Sequence, residues 1–371
     1  MTTFNPTALI RRNILSLEPY TPILPFEVLS RQLGRPPEEI VKLDANENPY
    51  GPSPLVAQVL ADAPYLHIYP DPESGDLRAA LADYTGLPAD YLLAGLGADE
   101  LIDLVMRLFI EPGDLILNCP PTFGMYSFDA GVNGAQVVNI WRNADFSVDV
   151  AGIEAAFPHP ALWGAEAGIP KLIFVTSPNN PDGSLLPDAD LKRLLALPAV
   201  VVLDEAYIEF SGGSRIDWVT QHPNLIVLRT FSKWAGLAGL RVGYGAFPLE
   251  IISHLWQIKQ PYNLPVAGQL AAIASLRDRD RLLANVARLV EQREQFFAVL
   301  QQIPWLEPYP SRANFILCKV KDRPAMAVKQ HLAGQGILVR HYNSPDLNDC
   351  VRISVGTPTH MARLEEALKQ L

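Results

Sequence analysis

Val200-Val201-Val202-Leu203-Asp204-Glu205 runs four apolar residues straight into two carboxylates. An unbroken apolar run of this kind suits a strand covered on both faces, as in a parallel sheet. The carboxylate that ends it is costly to bury without a cationic partner. The same pattern recurs on either side. Leu172-Ile173-Phe174-Val175 leads into Ser177-Pro178-Asn179-Asn180-Pro181-Asp182-Gly183, and Leu225-Ile226-Val227-Leu228 leads into Thr230-Phe231-Ser232-Lys233. Further upstream, Tyr91-Leu92-Leu93-Ala94 precedes Gly97-Ala98-Asp99-Glu100, and Asp114-Leu115-Ile116-Leu117 precedes Pro120-Pro121-Thr122-Phe123. Gly134 to Ile140 reads as one more strand, and Asp99 to Ile110 as a helix. Such alternation predicts an α/β fold: a large domain whose mostly parallel sheet is flanked by helices. Ligands of such sheets bind beyond the carboxyl ends of the strands. Five polar motifs at five strand ends are therefore expected to converge on one site.

After Pro261 the pattern changes. A helical stretch from Pro265 to Val299 is interrupted near Asp278-Arg279-Asp280, and short apolar runs follow at Asn314–Leu317, Gly336–Val339 and Val351–Val355. These predict a smaller α+β domain. The expected division is 44–260 for the large domain, with 1–43 and 261–371 forming the small one.

The 371 residues are 49% hydrophobic and 19% charged, which leaves ample apolar mass for a core. A net charge of -10, with Lys and Arg scattered, argues against a nucleic-acid partner. No uncharged apolar stretch reaches the roughly 18 residues of a membrane span, and Met1 to Arg12 lacks the pattern of a secretion signal. Cys119, Cys318 and Cys350 have no paired spacing, so they read as reduced core thiols in a cytoplasmic protein. No His/Cys cluster has metal-ligand spacing, and no metal is expected.

Lys233, set among hydroxyls, glycines and Arg241, is a candidate Schiff-base lysine, whose amine must be partly desolvated. The cluster could equally be a solvated turn. Asp204 suits a protonated ring nitrogen; a helix cap or a Mg²⁺ ligand are the alternatives, but the P-loop that a nucleotide site would need is absent. Tyr207 and Asn180 can hydrogen-bond a phenolic oxygen. Ala98 and Asp99 open a helix whose free N–H groups and dipole suit a phosphate, as would Thr230, Ser232 and Arg241. Phe123 could stack on a planar ring or sit in the core. Arg340 and Arg352 suit an oxyanion, or an internal ion pair.

Together these residues resemble the fold-type I aminotransferases that depend on pyridoxal 5'-phosphate (PLP), and within them the histidinol-phosphate aminotransferase family. The likeness extends over most of the chain. It includes Leu43-Asp44-Ala45-Asn46-Glu47-Asn48-Pro49, Tyr69-Pro70-Asp71, Gly236-Leu237-Ala238-Gly239-Leu240-Arg241 and Arg352-Ile353-Ser354-Val355-Gly356-Thr357, besides the motifs above. The resemblance implies that Lys233 carries PLP as an imine and acts as general base, and that Asp204 pairs with the ring nitrogen. Asn180 and Tyr207 would hold the ring oxygen, and Phe123 would stack. Ala98, Asp99, Thr230, Ser232 and Arg241 would cradle the phosphate. It also implies a homodimer in which Tyr69 reaches the neighbouring subunit's phosphate. Tyr20, Asn46, Arg340 and Arg352 would bind substrate: histidinol phosphate, then 2-oxoglutarate, which leaves as glutamate, in histidine biosynthesis. Ser177, Asp182 and Trp234-Ala235 depart from the usual pattern.

Threonine-phosphate decarboxylase and aromatic-amino-acid aminotransferases resemble this family and share its lysine and aspartate. A non-enzymatic PLP-binding regulator would carry a DNA-binding domain, and the acidic chain starts its enzyme-like pattern by about residue 40. Gly95-Leu96-Gly97 lacks the third glycine of a dinucleotide fingerprint.

Overall fold

The computed structural model describes residues 5–19, 24–157 and 168–371. Strand β1 (Val41–Leu43) comes first. It is followed by β2 (Leu92–Gly95), β3 (Leu115–Asn118), β4 (Gln136–Asn139), β5 (Pro170–Thr176), β6 (Val200–Asp204), β7 (Leu225–Thr230) and β8 (Gly243–Ala246). The last four are β9 (Leu306–Pro308), β10 (Phe315–Val320), β11 (Ile337–His341) and β12 (Cys350–Ser354).

Seven strands form the large sheet in the order β2-β8-β7-β6-β5-β3-β4. Only β8 runs against its neighbours; the other pairs are parallel. Alternate residues of each strand feed different helical layers. Val201, Leu203, Leu225 and Val227 join one core with Leu77, Leu81 and Leu191. Val202, Ile226 and Leu228 join another with Leu101, Ile102 and Val105. Covering both faces is what makes these strands read as unbroken apolar runs; each such side chain contributes about 1.5–3 kcal/mol by leaving water.

The parallel register puts the functional ends on one edge. Thr176 of β5 pairs with Asp204 of β6, and Asp204 pairs with Leu228 of β7, two residues before Thr230. Strand β8 is absent from the sequence expectation because its Gly243-Tyr244-Gly245-Ala246 is short and half glycine. Gly243 is required there: a Cβ would stand 2.4 Å from the Ala98 nitrogen, so glycine alone lets β8 lie against the start of the helix that follows β2.

That helix begins at Gly97, two residues earlier than expected, and ends at Phe109. The break near Asp278 separates helices Val266–Arg277 and Arg279–Leu300. The first of these packs on helices Pro54–Ala61 and Gly75–Thr85 beside the large sheet. The chain therefore passes to the smaller unit along helix Arg279–Leu300, later than Gln260.

The smaller sheet has the order β1-β11-β12-β10-β9, with β1 parallel to β11 and the rest antiparallel. Its core joins Val41, Leu43, Ile316, Val339 and Ile353 to Leu332 and Leu364. Residues 35–43 lie on this unit, where Arg35 donates to the Gly334 carbonyl at 2.9 Å. Helix Arg12–Leu15 does not. It sits on helix Met125–Asn133, and Asn13 caps the Gly131 carbonyl at 2.7 Å. The N-terminal segment is thus divided between the two units, because Asn13 of its own short helix donates to the Gly131 and Val132 carbonyls at a helix end of the large one.

Candidate active site

A cavity opens at the carboxyl edge of the large sheet. Ala98, Asp99, Phe123, Asn180, Asp204, Tyr207, Thr230, Ser232, Lys233 and Arg241 all line it. The five strand-end motifs do meet. A second pocket adjoins it, sharing Phe123, Asn180, Tyr207 and Lys233 and adding Asn46, Arg340, Tyr342 and Arg352. The loop after β1, with Ala45 and Asn46, and the β11–β12 end of the small sheet wall that second pocket.

Lys233 sits where the two pockets join. Its Nζ donates to the Ala45 carbonyl at 3.3 Å and lies 5.8 Å from the centre of the Tyr207 ring. Burial, then the nearby Arg352 cation, pull its pKa down to about 8. A lysine so placed has a substantial neutral fraction near neutral pH, which is what a nucleophilic amine needs.

Asp204 is 3% exposed. Its Oδ2 accepts from the Tyr126 hydroxyl at 2.6 Å and its Oδ1 from the Ala206 nitrogen at 2.9 Å. Burial pushes its pKa up to about 6, against the two hydrogen bonds that lower it. Among the described residues no lysine or arginine forms an ion pair with it. A buried carboxylate held ready without a cation suits a ligand that brings one.

At the other end of the cavity, Arg241 pairs with Asp99 at 2.7 Å, and both side chains are more than two-fifths exposed. Arg241 adopts φ 53° at the end of the 3₁₀ turn Ala238–Leu240, which brings its guanidinium back over Gly97. Thr230 Oγ1 donates to Ser232 Oγ at 2.9 Å, and the Ser232 nitrogen donates to Thr230 Oγ1 at 3.1 Å. Two hydroxyls, a helix N-terminus and an arginine make an anion cradle.

In the adjoining pocket Arg352 donates through Nη1 to Asn180 Oδ1 and through Nη2 to the Asp44 carbonyl at 2.8 Å. Accepting from Arg352 fixes the Asn180 amide so that its NH₂ group is the end left for the cavity. The Arg352 Nε is buried without a protein partner. Arg340 and Arg352 lie 5.8 and 6.0 Å from the centre of the Tyr342 ring. Asn46 lines this pocket but turns its amide nitrogen to the Tyr207 hydroxyl at 3.0 Å.

One expected residue is not at the cavity within one chain. Tyr69 is 79% exposed and stacks on Tyr262 at 4.6 Å, beside Leu66 and Ile68 on an apolar surface. Tyr20 lies outside the described residues. Three residues of the site were not singled out in sequence: Thr176, Tyr126 and Tyr342. Tyr126 follows Phe123 at helical spacing, and Tyr342 follows Arg340 at strand spacing; those offsets are the only signals that place them on the same faces. The unusual Asp182 is explained: it is 2% exposed, accepts from the Ser184 nitrogen at 2.8 Å and from Asn179, and so closes the Asn179–Gly183 turn.

The aminotransferase class I and II model matches residues 38–371. The fold and site thus define a class, and the chain belongs to the aminotransferase class I and II family. Among relatives, the chloroplastic histidinol-phosphate aminotransferase of Nicotiana tabacum is 57% identical over 98% of this chain and 86% of its own. The histidinol-phosphate aminotransferase of Roseiflexus castenholzii is 50% identical over 98% of both chains. At these identities the chain falls within the histidinol-phosphate aminotransferase family. A crystal structure of histidinol-phosphate aminotransferase from Sinorhizobium meliloti, in complex with pyridoxal-5'-phosphate, matches with a TM-score of 0.83 and 29% identity, covering 100% of this chain and 98% of that one. A threonine-phosphate decarboxylase structure from Porphyromonas gingivalis, at 22% identity and a TM-score of 0.77, shares the fold.

The residues of this cavity fit PLP. The cation-free, buried Asp204 answers a protonated ring nitrogen. The cradle of Thr230, Ser232, Arg241 and the Gly97 helix end answers a phosphate. Gly97 itself, at φ 74°, has the left-handed conformation that favours glycine, and a Cβ there would push against the Arg241 guanidinium. Phe123 offers an aromatic face, and Lys233 an amine for the aldehyde.

Proposed function

We propose that this chain transfers an amino group between histidinol phosphate and 2-oxoglutarate, giving imidazole-acetol phosphate and glutamate, with PLP held by Lys233. The observation that carries this reading is the joining of two pockets at Lys233. One contains the buried Asp204 and an anion cradle; the other contains two arginines. When bound, PLP supplies an electron sink for the bonds at the substrate carbon. Lys233 Nζ, with its lowered pKa, is suited to attack an aldehyde and then to take and return the substrate's α-proton. Asp204 would pair with the protonated ring nitrogen. Asn180 and Tyr207, both lining the cavity, would donate to the ring oxygen. Arg352 and Arg340 orient the far-end oxyanion that a phosphorylated amine and a dicarboxylate both present.

The deciding measurement is a half-reaction screen. Histidinol phosphate, threonine phosphate and phenylalanine are mixed with the PLP form, and bleaching of its visible absorbance is followed. Histidinol phosphate should bleach it fastest without release of CO₂. Carbon dioxide from threonine phosphate would instead identify a decarboxylase. Lys233→Ala should abolish transfer and the visible absorbance together. Arg352→Ala should raise KM for both histidinol phosphate and 2-oxoglutarate, and an effect on one alone would overturn the shared pocket.

We also infer a homodimer. The apolar surface of Leu66, Ile68, Tyr69 and Tyr262 supports it, because a patch of exposed large hydrophobic side chains marks a contact surface. In that dimer Tyr69 would reach the partner subunit's cofactor phosphate. Mixing Lys233→Ala and Tyr69→Phe subunits should yield heterodimers in which one of the two sites is intact, recovering activity that neither homodimer has. No helix among the described residues is long and apolar enough to cross a membrane. The three buried, free thiols are consistent with a reducing compartment such as the cytoplasm; the chloroplast named for the tobacco relative is another.

A further inference from the structure

Tyr126 is fully buried on helix Met125–Asn133, directly after β3 and the Phe123 turn. Its ring is stacked on Phe174 at 5.0 Å and meets Phe123 edge-on at 5.6 Å. Its hydroxyl stands 2.6 Å from Asp204 Oδ2 and 2.8 Å from Thr176 Oγ1.

Proton bookkeeping orients these bonds. Asn179 Nδ2 donates to the Pro121 carbonyl at 3.0 Å and to Asp182, so Asn179 Oδ1 must be the acceptor for Thr122 at 2.8 Å. Thr122 then has no proton left for Thr176, 3.3 Å away. Thr176 gives its proton to the Tyr126 oxygen, and the phenol gives its own to Asp204. A donor that itself accepts a hydrogen bond is a stronger donor. The direction runs one way, toward the carboxylate.

We propose that Tyr126 is a positioning residue for the cofactor ring, acting through Asp204: its phenol pins one carboxylate oxygen and keeps the group ionised to meet the ring nitrogen. This rests on the reading of the cavity as a PLP site. The phenol hydrogen bond lowers the Asp204 pKa, which burial alone would set higher. The titratable and charged groups around Asp204 are Tyr126 and Asp99 from two helices, Glu205 and Tyr207 from its own strand end, and Lys233 and Arg241 across the cavity.

The test uses Tyr126→Phe, which removes one oxygen and keeps both ring contacts, and Thr176→Val, which removes the donor behind the phenol. Apoprotein is titrated with PLP by tryptophan fluorescence from pH 5 to 8. Wild-type binding should weaken as pH falls through the ionisation of Asp204, near 6. In Tyr126→Phe that acid limb should move to higher pH, and affinity at pH 7 should drop about 10-fold, the worth of one hydrogen bond to a charged group. Thr176→Val should move the limb the same way by less. A general loss of packing would lower affinity equally at all pH values and leave the limb in place, and that result overturns the proposal. If Tyr126→Phe does not fold, the limb of Thr176→Val decides. Wild-type protein that fails to bind PLP would instead overturn the functional reading beneath it.

Discussion

Asn46 donates from Nδ2 to the Tyr207 hydroxyl at 3.0 Å, joining the loop after β1 to the turn after β6 across 161 residues of chain. Asn46 is 1% exposed and has φ 56°, a left-handed conformation that asparagine tolerates better than most residues. Its main-chain N–H donates to Ser354 Oγ at 2.9 Å, Ser354 Oγ donates to its Oδ1 at 2.8 Å, and Asn314 donates to its carbonyl at 2.9 Å. Since Asn46 is the donor, the Tyr207 hydroxyl keeps its own proton to give into the cavity. Asn46→Ala should reduce kcat about 10-fold and destabilise the fold by about 1–3 kcal/mol, through the lost hydrogen bonds and the left-handed backbone. Steady-state kinetics and urea denaturation measure both; an unchanged kcat would show that the phenol needs no orienting.

Lys233 should set a pH dependence of its own. Burial and Arg352 lower its pKa to about 8, so the neutral amine grows in as pH rises. The rate at which apoprotein captures PLP should climb with pH and level off above about 8. Arg352→Gln removes a cation that disfavours the ammonium form, so the midpoint should move up. A downward move would contradict the assigned cause. Stability follows the same linkage with the opposite sense. A lysine pKa depressed by folding costs stability below about 8, and the cost fades as pH rises toward the ordinary value of 10.5. Lys233→Met apoprotein should therefore be more stable than wild type at pH 7, by about 3 kcal/mol, and this gain should vanish by pH 10.5 in chemical denaturation.

The Arg241–Asp99 pair is exposed on both sides and should contribute little to folding. Its importance is at the anion cradle. Arg241→Ala should leave apoprotein stability within about 1 kcal/mol of wild type while weakening PLP binding about 10- to 100-fold, the value of charge-assisted bonds to phosphate. Equilibrium dialysis and thermal melts of apoprotein separate the two effects. A large fall in apoprotein stability would assign Arg241 to the fold instead.

Glu205 and Arg229 behave oppositely. They face each other at 3.0 Å, 1% and 6% exposed, at the ends of β6 and β7. Glu205 also accepts from Ser214 and the Arg215 nitrogen, each at 2.7 Å, and Arg229 from its other side meets the Tyr244 hydroxyl at 3.3 Å. Burial pushes nearby Glu209 up to about 7, with the Arg229 cation opposing the rise. Arg229→Met would leave Glu205 as an unpaired buried carboxylate, with an expected cost of about 3–5 kcal/mol. Removing the cation also frees Glu209 to rise further, so the loss should be smaller in acid, where Glu209 is protonated. Denaturation midpoints at pH 5 and pH 8 provide the check.

Much of the fold was legible in local pattern. The runs at Leu172, Val200 and Leu225 are strands because a residue buried on either face of a sheet must be apolar, and that requirement is written into consecutive positions. Parallel strands share one carboxyl edge, so Ala98, Phe123, Asn180, Asp204 and Lys233 had to meet once the sheet was parallel. Strand β8 left little trace, because close approach to the Gly97 helix demands glycines, which carry no strand signal.

Other relationships belong to the tertiary structure alone. Tyr126 reaches Asp204 from 78 residues away, and Asn13 caps Gly131 from 118 away. The packing of β11 and β12, likewise, is what places Arg340 and Arg352 in the pocket beside Lys233. Sequence by itself determined which segments are buried and where their polar ends lie, since burial acts on each residue through its own contact with water. Only the folded chain decided which hydroxyl meets which carboxylate. A hydrogen bond depends on a few tenths of an ångström between groups whose separation along the chain carries no periodic signal.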